Sequence, residues 1–234
     1  YMNEFVPAYK IGSGDITWIK IIKYIASKNK PYIIATGAST LKEVSLAVNA
    51  GLKINSNLSI MQCNTNYTGS ENNFKFINLN VLKTYAQMFP GLVLGLSDHT
   101  PGHSTVLGAI SLGARIIEKH FTDDNSREGP DHSFAMNPYS WNEMINRSRE
   151  LENALGEKTK CIEDNEKDTV VLQRRSIRVK EDMKVDTIIN ADDLIELRPC
   201  PNDAIPPYEI DNILGKKLKF SKNKGDYLRW IDLL

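Results

Sequence analysis

Cysteine is scarce: Cys63, Cys161 and Cys200 are the only three in 234 residues, an odd number without the close pairs of a zinc knuckle. Neither a disulfide framework nor a structural zinc site is expected, and the thiols fit a reducing cytoplasm. An excess of either charge is also lacking, with 29 Lys and Arg against 29 Asp and Glu. Nothing in that balance draws the chain to nucleic acid or to an anionic membrane. No run approaches the ~20 apolar residues that cross a bilayer, and no charged-then-apolar segment opens the chain as a signal would. With 41% apolar and 25% charged residues, the composition is that of a globular protein, long enough for one ordinary domain and a small second one. The expected partner is a small molecule or another copy of the chain. Methionine is missing from the first position, where Tyr1 precedes Met2, which raises the expectation of an absent upstream segment.

What is present is a repeating unit. Short apolar runs rich in β-branched residues recur at Val6–Ile11, Tyr32–Thr36, Ser59–Cys63, Leu92–Ser97 and Ile116–Phe121. They run on rather than alternate, as strands buried on both faces do. Helical periodicity fills the gaps, over Trp18–Ala26, Leu41–Ala50, Phe74–Met88 and Ser104–Leu112. Strand and helix therefore alternate, and a parallel α/β sheet is predicted. Thr40 with Glu43, and Ser140 with Glu143, have capping-box spacing, and Gly156 is placed to end the later helix.

Five such units do not by themselves separate an open doubly wound sheet from part of a (β/α)8 barrel. Polar residues stand at the carboxyl end of every strand, namely Lys10 and Ser13, Thr36, Asn64 and Thr65, Ser97 to His99, and Glu118 to His120. Only a barrel gathers all of those ends at one mouth. Residues 1–156 read as barrel and 157–169 as a charged linker. Residues 170–234, with apolar runs at Val170–Leu172, Ile188–Ile189, Leu194–Leu197 and Leu228–Leu233 broken by proline, read as a small β-rich domain.

Chemistry concentrates at the mouth. His99 and His120 each follow a strand, on neighbouring strand ends, and two converging imidazoles can bind one divalent cation while leaving positions for water and substrate. The plainer alternative is that one is a packed histidine and the other merely hydrogen-bonded. Asp98 and Glu118 beside them are candidate acid/base or ligand-orienting groups. Lys10, Ser13 and the glycines of KIGSGD, repeated as Thr36-Gly-Ala-Ser39 and joined by Ser97, suit an anion such as phosphate. Lys10 and Lys119 admit a rival in which a strand-end lysine forms an imine with a carbonyl substrate. Asp131, following Pro130 in a loop over the mouth, is placed to meet a polyol.

The ordered motifs KIGSGD, ATGAST, QCNTNY, GLSDHT, IEKHF, GPDH and LRP resemble the sialic acid synthase family, including legionaminic and pseudaminic acid synthases and spore-coat polysaccharide synthases. The likeness runs from about Ala8 to the end of the chain. It implies a TIM barrel, of which about the last five βα units are here, followed by an antifreeze-like (SAF) domain. It further implies condensation of phosphoenolpyruvate with an N-acetylated amino sugar such as N-acetylmannosamine. His99 and His120 would hold Mn2+, with Mg2+ or Co2+ as alternatives. Lys10, Ser13, Ser97 and Tyr67 would hold phosphoenolpyruvate, and Asp131 the sugar. Arg198 would reach the site of a second subunit in a domain-swapped homodimer. Two positions depart from the family pattern, Ala35 where many members have serine and Thr65 where others have asparagine or serine. The family's first three barrel strands, with a catalytic glutamate, have no counterpart before Tyr1, so the chain alone is expected to be inactive. Another barrel lyase or aldolase with a phosphate-binding rim, and a non-catalytic binding module, stay open.

Overall fold

β-Branched residues crowd the short apolar runs, and in the computed structural model, which describes residues 2–234, those runs become one parallel sheet. Its strands are β1 (Tyr9–Ile11), β2 (Tyr32–Ala35), β3 (Leu58–Cys63), β4 (Val93–Asp98) and β5 (Ala114–Lys119). A doubly wound sheet reverses its strand order at a switch point. Here the order is β1-β2-β3-β4-β5 without a break, and every neighbour is parallel. That is how a (β/α)8 barrel wall runs, and the chain carries five of its units. Helices α1 (Ile19–Ala26), α2 (Leu41–Leu52), α3 (Val81–Met88) and α4 (Ser104–Ser111) lie between successive strands, and α5 (Pro138–Leu155) follows β5.

Side-chain parity divides each strand. Tyr32, Ile34, Ile60, Leu94 and Leu96 pack with Ile22, Ala26, Val44, Val48 and Leu82 of the helices in one buried cluster. Full burial stabilises each large apolar side chain there by about 1.5–3 kcal/mol. The period of two then turns Lys10, Cys63, Ser97 and Glu118 to the opposite, inner face. Between β4 and β5 the register slips at Leu94/Gly95: Leu94 pairs with Ala114, but Gly95 pairs with Ile116, and Arg115 is passed over. This bulge sets Ser97 opposite Glu118 and Asp98 opposite Lys119.

Several boundaries differ from the sequence reading. Thr40 and Glu43 do form the expected capping box. At α5, however, Asn137 is the cap: its side chain accepts from the Ser140 amide, and Pro138 fills the first helical position, where no amide hydrogen is needed. The single helix expected over Phe74–Met88 is two pieces, a 3-10 segment Glu71–Phe76 and α3, because Asn78 takes a left-handed φ of 50°. β5 begins and ends two residues earlier than expected, which leaves His120 and Phe121 beyond the strand. No helix of the described residues is long and apolar enough to cross a membrane.

The chain divides into two compact units, Tyr1–Gly156 and Glu157–Leu234. In the second, Val170–Leu172 lies inside helix α6 (Lys167–Gln173), so that apolar run is helical and not β, while residues 164–166 form a 3-10 turn. Strands β6 (Ser176–Val179) and β7 (Leu194–Leu197) pair antiparallel, and isolated bridges such as Ile188↔Lys217 and Leu218↔Leu233 knit the rest. Ile177, Val179, Ile189, Ile205, Ile213, Leu218 and Leu228 make its core.

One carboxylate braces this unit. The fully buried Asp232 accepts from Arg229 Nη2 at 3.0 Å and pairs with Lys222 Nζ at 2.6 Å. Burial pushes the carboxyl up, but its hydrogen bonds from Arg229 and Lys222 outweigh that and hold it below its ordinary value of 3.8. A depressed carboxylate contributes stability above its unfolded value and loses it as pH falls through the folded one. Asp232→Asn is therefore expected to cost the second unit about 3 kcal/mol at pH 7, because a buried ion is left unpaired. The deficit should shrink below about pH 4. Hydrogen exchange of the second unit's amides across that pH range measures both.

Candidate active site

Strand ends meet loops around two histidines. β4 stops at Asp98 and β5 at Lys119, so His99 and His120 are the first residues past adjacent strands. Their ring centroids lie 5.0 Å apart with the planes inclined at 53°. His99 Nδ1 donates to the Asn64 carbonyl at 3.0 Å, and His120 Nδ1 faces the Asp131 carboxylate at 3.3 Å. Each Nδ1 is thus engaged by an oxygen, which leaves Nε2 on both rings as the lone-pair nitrogen in the neutral form. Among the described residues no group of three metal-binding side chains gathers. The donor set still fits a divalent cation: two oriented imidazole nitrogens, with the remaining positions left to water and substrate.

Aromatic rings wall this pair. Tyr67 lies 4.3 Å from the His99 ring and 5.7 Å from the His120 ring, centroid to centroid, and Phe134 lies 5.2 Å from His120. Tyr67 and Asp131 are therefore brought to the histidines, although Tyr67 comes from the loop after β3 and Asp131 from the loop after β5.

On the inner face beside them, polar side chains form a connected set. Lys10 Nζ donates to Glu118 Oε1 at 2.6 Å, and Ser97 Oγ donates to the same oxygen at 2.9 Å. Ser13 Oγ accepts from the Gly37 amide at 2.9 Å. Cys63, at the end of β3, lies within hydrogen-bonding reach of His99, Ser13, Ser97 and Thr65. Burial would raise its thiol, but those four bonds outweigh burial and hold it below its ordinary value. Burial likewise would lower His99; the Cys63 thiol beside it, the Asn64 carbonyl and Asp98 win, and the imidazole is raised. The rim is close-packed at Gly37, where a Cβ would stand 1.8 Å from Thr65 Oγ1 and 2.9 Å from Ser13 Oγ.

The structure thus gathers Lys10, Ser13, Thr65, Tyr67, Ser97, His99, Glu118, His120 and Asp131. Two expected residues of the first unit lie elsewhere. Thr36 points to the helix layer, where its buried hydroxyl donates to the Met61 carbonyl and accepts from Tyr85, each at 2.9 Å. Asp98 also turns away from the mouth, fully buried against Lys119 Nζ at 2.7 Å, and accepts from Thr105 Oγ1 at the same distance. It touches no open space at the mouth, which corrects its reading as an acid/base group. The same pair consumes the Lys119 amine and removes it as an imine former. Arg198 belongs to the second unit, exposed, with Nε donating to the Gln173 carbonyl at 2.7 Å. The sequence reading singles out neither Cys63 nor Phe134 as a lining residue, whereas Gly37 lies in its Thr36-Gly-Ala-Ser39 loop. No pattern in the sequence marks Cys63 as inward, because β3 is buried along nearly its whole length on both faces.

Comparison with known proteins identifies the family and the fold. Residues 1–160 match the NeuB family and residues 174–234 the SAF domain. The N,N'-diacetyllegionaminic acid synthase of Legionella pneumophila is 37% identical over 96% of this chain and 63% of its own length, so the chain spans just under two thirds of that relative. The N-acetylneuraminic acid synthetase of Leptospira borgpetersenii superposes with a TM-score of 0.65 at 26% identity, over 71% of this chain and 57% of that one. The spore coat polysaccharide biosynthesis protein E of Chromobacterium violaceum covers 98% of this chain and 68% of its own with a TM-score of 0.75, and at 19% identity it speaks for the fold alone. With the family's match extending over the whole first unit and an SAF domain behind it, the chain belongs to the NeuB family.

Proposed function

We infer that the protein carrying this chain condenses phosphoenolpyruvate with an N-acetylated amino sugar, N-acetylmannosamine or a relative, and water, to give a nonulosonic acid and phosphate. The observation that carries this reading is the convergence of His99 and His120 on the inner rim that also holds Lys10, Ser13, Ser97 and Glu118. His99 and His120 would hold Mn2+, or Mg2+ or Co2+ in its place, which when bound would supply Lewis acidity toward the sugar's aldehyde. Lys10 Nζ, the hydroxyls of Ser13, Thr65 and Ser97, and Tyr67 bind and orient the phosphorylated enol, so that its nucleophilic carbon faces that aldehyde. Asp131 accepts hydrogen bonds from the sugar. Glu118, held toward the mouth by Lys10 and Ser97, takes the proton of the water that adds at the phosphate-bearing carbon, after which phosphate leaves. Arg198 of a second subunit contributes to sugar binding in a domain-swapped homodimer.

Phosphate release tests this, using the chain with whatever its gene encodes upstream, phosphoenolpyruvate, Mn2+ and a panel of N-acetyl amino sugars. Sugar-dependent release that chelation abolishes supports the reading. Turnover that survives chelation and is trapped by borohydride would instead establish an imine lyase. Inactive Arg198→Ala and His120→Ala subunits, mixed, should partly restore activity; no restoration sinks the shared site.

A further inference from the structure

The two residues that precede the histidines share no surface with the mouth, yet they meet each other. Asp98 and Lys119 are adjacent to His99 and His120 in sequence, and by strand parity their side chains go to the opposite face. There they form an ion pair of 2.7 Å with side chains 0% and 2% exposed. Asp98 Oδ1 accepts from the Thr100 amide at 3.2 Å, and Oδ2 accepts from Thr100 Oγ1 at 2.8 Å and from Thr105 Oγ1 at 2.7 Å. Lys119 Nζ also donates to the Thr100 carbonyl at 2.6 Å. One cluster therefore ties the end of β4, the end of β5 and the first turn of α4.

The register shows what this tie accomplishes. Before the bulge the offset between paired residues is 20 (Leu94↔Ala114), and after it 21 (Gly95↔Ile116). Had the first offset continued, Asp98 would stand opposite Glu118 and His99 opposite Lys119. The bulge places Asp98 opposite Lys119, and the same count carries His99 level with His120. Burying two ions costs several kcal/mol each, and an apolar pair of equal volume stabilises a core as well or better. Stability is thus a poor reason for an ion pair here; fixing where two strand ends stop is a better one.

We propose that Asp98 and Lys119, with Thr100 and Thr105, form a buried crosspiece that sets the spacing and tilt at which His99 and His120 present their nitrogens to a divalent cation. These four are positioning residues, and the proposal rests on the two-histidine cation reading above. Outer residues that orient metal ligands govern about 10- to 100-fold in metal affinity.

The test is the Mn2+ dissociation constant of the full chain, read from the electron paramagnetic resonance of free Mn2+, beside thermal melting of the same samples. In the double variant Asp98→Leu/Lys119→Met the charges are replaced by apolar side chains. It should melt close to the native chain and bind Mn2+ about 10- to 100-fold more weakly. Native affinity in that folded variant overturns the crosspiece. Should the double variant fail to fold, Thr105→Val, which keeps the volume and removes one donor, should still weaken Mn2+ severalfold, and unchanged affinity overturns the proposal. His99→Ala is the control: binding that it abolishes but the double variant keeps refutes the crosspiece alone. Absent or His99-independent binding refutes the cation reading, and the crosspiece with it.

Discussion

His99→Ala and His120→Ala should each lower the rate of sugar-dependent phosphate release by on the order of 10³-fold at saturating Mn2+, since Lewis-acid stabilisation of several kcal/mol is lost and each 1.36 kcal/mol is tenfold. The size follows from the geometry. With ring centroids 5.0 Å apart and both Nδ1 atoms engaged, the pair offers one nitrogen from each ring, and among the described residues no third ligand stands by to replace a lost one. Circular dichroism should be unchanged, because neither ring belongs to the apolar cluster between strands and helices. A variant of either histidine with native turnover would mean that the imidazoles are packing or hydrogen-bonding groups and that the condensation proceeds otherwise.

How far the sequence disclosed this site depends on which physical signal each residue carried. Alternation of apolar runs with helical segments located five strands and four of the five barrel-unit helices to within a few residues, and strand ends in turn located Lys10, Ser97, His99, Glu118 and His120. Parity was not legible. In a strand buried on both faces the apolar pattern does not alternate, so Asp98 and Glu118, both polar and both at strand ends, look alike in sequence. The fold separates them: Asp98 goes to the helix layer and Glu118 to the mouth. Thr36 failed for the same reason, its hydroxyl absorbed by Met61 and Tyr85. The Lys10–Glu118 contact joins residues 108 apart, and no local pattern announces such a pair. The bulge at Gly95 is equally silent, since it reveals itself only in the pairing with β5.

Gly37→Ala should damage both the stability of the first unit and the rim that would hold a phosphate. Its backbone needs no glycine for φ, so the constraint is space alone: the new Cβ would lie 1.8 Å from Thr65 Oγ1, 2.9 Å from Ser13 Oγ and 3.1 Å from Cys63 Sγ. Thr65 can yield only by turning its hydroxyl away, and Ser13 only by giving up the Gly37 amide, 2.9 Å from its Oγ. Both movements strip the rim of groups that would meet a phosphate. Overpacking of this kind costs about 1–3 kcal/mol in stability, visible as a lower melting temperature. Loss of two charge-facing hydrogen bonds, at roughly 1.5–3 kcal/mol each, should cut kcat/KM for phosphoenolpyruvate by on the order of 10²-fold or more, mainly through KM. Adding Thr65→Ala separates the two effects. The double variant regains room, and with it most of the melting temperature, but not the hydroxyl, so the KM for phosphoenolpyruvate should stay high. If KM recovered together with stability, Thr65 would be a packing residue, and the anion would be held by Lys10, Ser13 and Ser97 without it.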